Sequence, residues 1–229
     1  MIDSFEKIAQ IGVVPVIAID NADYALPLAD ALLEGGIACA EITFRTTAAR
    51  AVIEIMASQR PELLVGAGTL LDLPSLFAAR DAGATFGLAP GYNAAVVDAA
   101  KALSFPFTPG VMTPSEVGAC LAAGITTMKF FPAGAAGGTR MLSSIEAPYA
   151  HLKPRFIPTG GVTLENMADW LSSKSVLAVG GTWIATRDAI AREAWQEITR
   201  LCKAAGEQVR HIRNTASNIA SNSTKATTP

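Results

Sequence analysis

Eight short apolar runs rich in Val, Ile, Phe and Thr recur along this chain, alternating with Ala- and Leu-rich stretches of helical spacing. The runs are Val13–Ile19, Ile37–Phe44, Leu63–Val65, Thr85–Leu88, Phe105–Thr108, Thr126–Phe131, Arg155–Ile157 and Ser175–Val179. After a short N-terminal helix, the helical stretches are Tyr24–Leu33, Ala48–Ser58, Leu73–Ala82, Ala94–Leu103, Pro114–Ala123, Leu164–Leu171 and Asp188–Ala205. Strands this uniformly apolar belong in a parallel sheet covered on both faces. Gly35, Gly83 and Gly124 sit just past apolar stripes, where helices stop. Asn93, Thr113 and Thr163 stand where N-caps belong.

Eight strand–helix units within 229 residues fit a closed barrel, whose usual size is roughly 250 residues. The rival architecture is an open doubly wound sheet, which favours a GxGxxG turn after its first strand to hold a dinucleotide. Here the first strand is followed by Asp20-Asn21-Ala22-Asp23 instead. The expected fold is therefore α/β, a (β/α)8 TIM barrel with a short N-terminal helix. One domain is expected over residues 1–212, followed by a polar tail, 213–229, lying free of the core.

Half of the residues are hydrophobic and only 17% are charged, as a chain with one large core requires. The formal net charge is -2 and no basic block occurs, so there is no electrostatic footprint for nucleic acid. No apolar run approaches the roughly 20 residues of a membrane span, and Met1–Lys7 lacks the basic-then-apolar order of a secretory signal. Cys39, Cys120 and Cys202 are odd in number and far apart, which argues against a disulfide framework and fits a reducing cytoplasm. The only histidines, His151 and His211, cannot make a three-histidine zinc site, and no metal is expected.

Barrel enzymes build their sites at the C-terminal ends of the strands. Here those ends read Glu41-Ile42-Thr43-Phe44-Arg45, Gly66-Ala67-Gly68-Thr69, Ala89-Pro90-Gly91, Pro109-Gly110, Lys129-Phe130-Phe131-Pro132, Pro158-Thr159-Gly160-Gly161 and Gly180-Gly181-Thr182. Lys129 is the one lysine set within an apolar strand. Desolvating an ammonium favours the neutral amine that attacks a ketone, as a Schiff-base lysine must. The alternative is a structural lysine paired with a carboxylate. Period two places Glu41, Thr43 and Arg45 on one strand face. Glu41 is either a proton shuttle beside the amine or merely the counter-charge of Arg45 or Lys129. Arg45 offers a bidentate fork to a substrate carboxylate or to a neighbouring side chain. The Gly160-Gly161 and Gly180-Gly181 pairs, with Thr182, stand at the last two strand ends, where barrels often bind phosphate through backbone N–H groups.

These stretches, together with Pro15-Val16-Ile17, Thr46, Val111, Ala133 and Trp183, resemble the 2-dehydro-3-deoxy-phosphogluconate (KDPG) aldolases, a family overlapping the 4-hydroxy-2-oxoglutarate (KHG) aldolases. The resemblance runs in order from about residue 5 to residue 205. It implies a class I aldolase of the Entner–Doudoroff pathway, a homotrimer without cofactor or metal, acting on a phosphorylated 2-oxo acid and releasing pyruvate. In that reading Lys129 forms the Schiff base and Glu41 moves the proton. Arg45 and Thr69 hold the pyruvyl carboxylate, and Pro90 and Phe131 line the pocket. Thr159 influences stereochemistry at the hydroxyl-bearing carbon, while Gly160, Gly161 and Thr182 receive the phosphate. The chain departs from the common pattern at Gly134, where an acidic residue is frequent, and at Thr182, where serine is. A metal-dependent epimerase and a non-catalytic sugar-phosphate binder are the competing readings. The first needs strand-end histidine and aspartate ligands; the second would form no imine.

Overall fold

The computed structural model describes residues 4–225, with side chains through residue 215. Met1–Asp3 and 226–229, which carry parts of the N-terminal and tail expectations, lie outside the described residues. The strands are β1 (Val13–Ile17), β2 (Cys39–Thr43), β3 (Leu64–Gly68), β4 (Phe86–Leu88), β5 (Phe107–Thr108), β6 (Gly110–Val111), β7 (Thr127–Phe130), β8 (Arg155–Pro158) and β9 (Val179–Gly181). All pairs are parallel. One sheet runs β5-β4-β3-β2-β1-β9 and the other β6-β7-β8. Two single bridges, Phe156↔Val176 and Thr159↔Gly180, close the ring between β8 and the β9 strand. β5 and β6 are halves of one stave interrupted at Pro109, which has no N–H to give the ladder. Its carbonyl still accepts the Lys129 N–H at 2.9 Å. The result is the closed eight-stave barrel expected from the alternation.

Register decides what faces the axis. Val16, Glu41, Gly66 and Phe86 are successive partners across β1 to β4, so they share the inner face. A Cβ at Gly66 would overlap the Phe86 ring, so that ring occupies the room the glycine leaves. Two residues nearer the strand starts, Val14, Cys39 and Leu64 pack together with Ile8 of the N-terminal helix α1 (Ser4–Ile11), which plugs the barrel floor. Each such fully buried aliphatic or aromatic side chain contributes about 1.5–3 kcal/mol over leaving it in water.

The outer helices are α2 (Ala25–Glu34), α3 (Ala49–Gln59), α4 (Leu73–Asp81), α5 (Ala94–Ala102), α6 (Pro114–Ala122), α7 (Gly138–Glu146), α8 (Met167–Leu171), α9 (Arg187–Ala191) and α10 (Trp195–Lys225). Asn93 caps α5 through Ala95 N–H, and Thr113 caps α6 in a reciprocal box with Glu116. Thr163 does not cap α8; Asn166 Oδ1 accepts its N–H, and the helix starts later at Met167. After α2 the left-handed residue is Gly36 rather than Gly35. α7 has no counterpart in the sequence reading, because Gly137-Gly138 at its start looks like a loop. The single helix expected over Asp188–Ala205 is two. Glu193 takes φ 54°, and the Glu193 and Ala194 N–H groups return to Ile190 and Ala189, ending α9.

The boundary expected at residue 212 is no break in secondary structure, since α10 runs through it. The Arg213 guanidinium donates to the carbonyls of Ala9 and Gln10, closing the C-terminal end of α1. Its partial burial pulls the Arg213 pKa below the ordinary guanidinium range. Among the described residues no helix is long and apolar enough to cross a membrane.

Candidate active site

Strands β2 and β7 carry Glu41 and Lys129 to the barrel axis, 88 residues apart in sequence. The Lys129 Nζ donates to Glu41 Oε1 at 3.0 Å, and the two side chains are only 6% and 1% exposed. The structure thus pairs Glu41 with Lys129 and not with Arg45. Arg45 is exposed at the strand end; its Nε donates to Thr43 Oγ1 at 3.1 Å, and that hydroxyl donates to the Ile17 carbonyl at 2.8 Å. A buried ion pair seldom stabilises a fold better than apolar side chains of the same size. Moreover, among the described residues Glu41 Oε2 has no hydrogen-bond partner although it is buried. Leaving such an oxygen unpaired costs about 1–3 kcal/mol, so the stability of the barrel does not account for this arrangement. It keeps an acceptor available beside the amine.

The neighbours of this pair are fixed by close approach. Glu41 lies over Gly68 of β3, where any Cβ would overlap its carboxylate. The next residue, Thr69, has φ 60°, a left-handed conformation that strains a β-branched residue by about 1–3 kcal/mol. The Phe131 ring centroid is 5.8 Å from Lys129 Nζ, within cation–π range. That ring also covers Gly160, and Gly160 and Gly161 both hold positive φ, 89° and 78°. The carbonyls of Thr159 and Gly160 accept the N–H groups of Ala133 and Gly134, each at 2.8 Å, which ties the β7 and β8 loops together. Thr159 is buried over Gly180. Pro90 abuts Gly110, the strand partner of Lys129.

Arg45 and Thr182 meet elsewhere, in the wall of a cavity of about 370 Å³ beside the ends of β1, β2 and β9. Gly160, Gly161, Gly180 and Gly181 lie outside that wall, and Thr159 bridges to Gly180. The expected site residues thus divide between a buried centre around Lys129 and Glu41 and an outer chamber walled by Arg45 and Thr182. The sequence reading missed the other charged residue of that chamber, Arg187, which opens α9 and is held by Asp20. Cys39, Cys120 and Cys202 are buried and free. Burial, then the nearby Glu41 charge, pushes the Cys39 thiol above its ordinary range, while Cys120 and Cys202 are pushed up to about 12. These thiols are packing groups, not nucleophiles. Among the described residues no group of three or more His, Cys, Asp or Glu could hold a metal ion.

A family model for KDPG and KHG aldolases matches residues 3–201. The chain belongs to the KDPG and KHG aldolase family. It is therefore an aldolase, a carbon–carbon lyase. A 2-dehydro-3-deoxy-phosphogluconate aldolase of Haemophilus influenzae is 42% identical over 198 residues, covering 86% of this chain and 92% of the relative. The KHG/KDPG aldolase of Escherichia coli is 40% identical over 205 residues, 89% of this chain and 95% of that one. Among solved structures, the KDPG aldolase of Legionella pneumophila superposes with a TM-score of 0.85 at 37% identity, covering 89% of this chain and 98% of that protein. That enzyme was captured with pyruvate as a covalent carbinolamine.

Proposed function

We propose that this aldolase cleaves 2-dehydro-3-deoxy-6-phosphogluconate to pyruvate and D-glyceraldehyde 3-phosphate through an imine on Lys129. The observation that carries the reading is the buried Lys129–Glu41 pair at the mouth of an aldolase barrel. The Lys129 ammonium passes a proton to its partner Glu41, and the freed amine adds to the 2-oxo carbon to give a carbinolamine. Glu41 returns that proton to the carbinolamine hydroxyl, which leaves as water to give an iminium. That cation is the electron sink for the next step. Glu41 takes the proton of the C4 hydroxyl, directly or through a water, as the C3–C4 bond breaks. The bonding pair flows into the iminium, so the aldehyde leaves and an enamine stays on Lys129. Glu41 returns a proton to C3, and hydrolysis frees pyruvate and the amine.

Arg45 and Thr69 hold the pyruvyl carboxylate, and the strained Thr69 backbone is the cost of that placement. Phe131 and Pro90 keep water from the imine. Thr159 faces the hydroxyl-bearing carbon, and the phosphate rests on Gly160, Gly161, Gly180, Gly181 and Thr182. A second substrate, 4-hydroxy-2-oxoglutarate, is supported by the E. coli relative, which is a KHG/KDPG aldolase. An assay of pyruvate release from a panel of 2-oxo acids tests the reading. The phosphorylated six-carbon acid should have the highest kcat/KM, its non-phosphorylated form should lose mainly in KM, and cleavage should persist in excess EDTA. An equal kcat/KM with and without phosphate would refute the phosphate site, and a loss restored only by added metal would refute the imine mechanism.

We also propose that the protein works as a homotrimer in the cytoplasm. Apolar side chains left exposed at the surface, Leu71 after β3, Phe77 in α4 and Met112 after β6, support association. Light scattering should give three times the 23.8 kDa chain mass; a monomer would refute it.

A further inference from the structure

The chamber that holds Arg45 and Thr182 has a second cation in its wall, Arg187, the first residue of α9. The two arginines are tied down differently. Arg45 is anchored to β2 through Thr43, on the same strand as Glu41. Arg187 is held by the Asp20 carboxylate, which ends the β1 stave: Nε donates to Oδ2 at 2.9 Å and Nη2 to Oδ1. No carboxylate lines the chamber itself. The Arg187 and Asp20 side chains are 59% and 63% exposed, and pairs this wet contribute little to a fold. Stability therefore does not explain a guanidinium forked onto a carboxylate at the mouth of a substrate chamber. The same fork fits two oxygens of a phosphate monoester. Such a phosphate carries a charge of about -1.5 to -2 near neutral pH, more than the single charge of Asp20.

We propose that Arg187 is the specificity-determining cation for the substrate phosphate. Asp20 occupies the guanidinium in the free chain, and the phosphate replaces it when substrate enters. The two arginines then divide an anionic substrate between them, with carboxylate at Arg45, on the strand that carries Glu41, and phosphate at Arg187 in the wall that also holds Thr182. This rests on the phosphorylated substrate proposed above. It also gives Thr182 a partner for the anion that the glycine pairs do not supply, since backbone N–H groups carry only partial charge.

The test is the ratio of kcat/KM for 2-dehydro-3-deoxy-6-phosphogluconate to that for 2-dehydro-3-deoxygluconate, measured in wild type, Arg187→Ala and Arg187→Lys. A charge-assisted hydrogen bond contributes about 1.5–3 kcal/mol. Arg187→Ala should therefore lower the ratio about 10- to 100-fold, chiefly through KM for the phosphorylated acid. Arg187→Lys keeps the charge without the fork and should restore part of the preference. A wild-type ratio well above one that Arg187→Ala leaves intact would overturn the assignment while the phosphate reading stands. A wild-type ratio near one would overturn both. Parallel losses on both substrates would assign Arg187 a structural role and also overturn the proposal.

Discussion

Pyruvate and borohydride together should add one three-carbon unit to each chain, on the peptide that carries Lys129. The hydride reduces the C=N bond of the imine, which fixes the pyruvyl carbon to Nζ and makes the adduct visible by mass spectrometry. Lys129 is suited to this because its side chain is 6% exposed, so the amine meets a ketone without competing bulk water. Lys129→Arg keeps a cation beside Glu41 but cannot form the imine at neutral pH, because a guanidinium stays protonated. It should remove both label and cleavage while thermal unfolding stays cooperative. Lys129→Ala is the poorer probe. It would leave the buried Glu41 charge uncompensated, at a cost of about 3–5 kcal/mol, and confuse lost chemistry with lost fold. Label on another lysine, or cleavage surviving in Lys129→Arg, would exclude the proposed mechanism.

The sequence exposes those parts of the molecule that local periodicity controls. Alternation along Ile37–Phe44 and Thr126–Phe131 places Glu41 and Lys129 each on a strand face. The barrel that the alternation implies then requires both faces to point at one axis. Their meeting at 3.0 Å was one of several outcomes the spacing allowed, because Arg45 was an equal claimant for the Glu41 carboxylate. Only closure of the ring decides between the two cations. The features that stayed hidden depend on packing between distant elements. Pro109 divides one stave into β5 and β6 without ending it, since its carbonyl continues the ladder. Nothing in Arg192-Glu193-Ala194 marks a helix end, yet Glu193 turns left-handed there. Arg187 and Asp20 are 167 residues apart. In sequence each is an ordinary loop charge, and they meet only because β9 pairs with β1.

Glu41→Gln should separate imine formation from bond cleavage. The amide keeps nearly the same shape but cannot take the C4 hydroxyl proton or return one to C3. General acid–base catalysis typically contributes about 100- to 10,000-fold, so cleavage and hydrogen exchange into pyruvate should fall by roughly 100-fold or more. Borohydride should still trap pyruvate on Lys129, though more slowly. Gly68→Ala examines the same carboxylate from below. Its Cβ would overlap Glu41 Oε1, so the carboxylate must move while its chemistry stays intact. A displacement of about 1 Å can cost roughly 100-fold in rate. Both variants should therefore lose kcat more than KM, one by removing the proton acceptor and the other by moving it. Combining them distinguishes this from two unrelated defects, because two lesions acting on one group are not additive. The double variant should be little worse than Glu41→Gln alone. Full multiplication of the two losses, or a Glu41→Gln enzyme that still exchanges pyruvate hydrogens at the wild-type rate, would assign the proton transfer to another group.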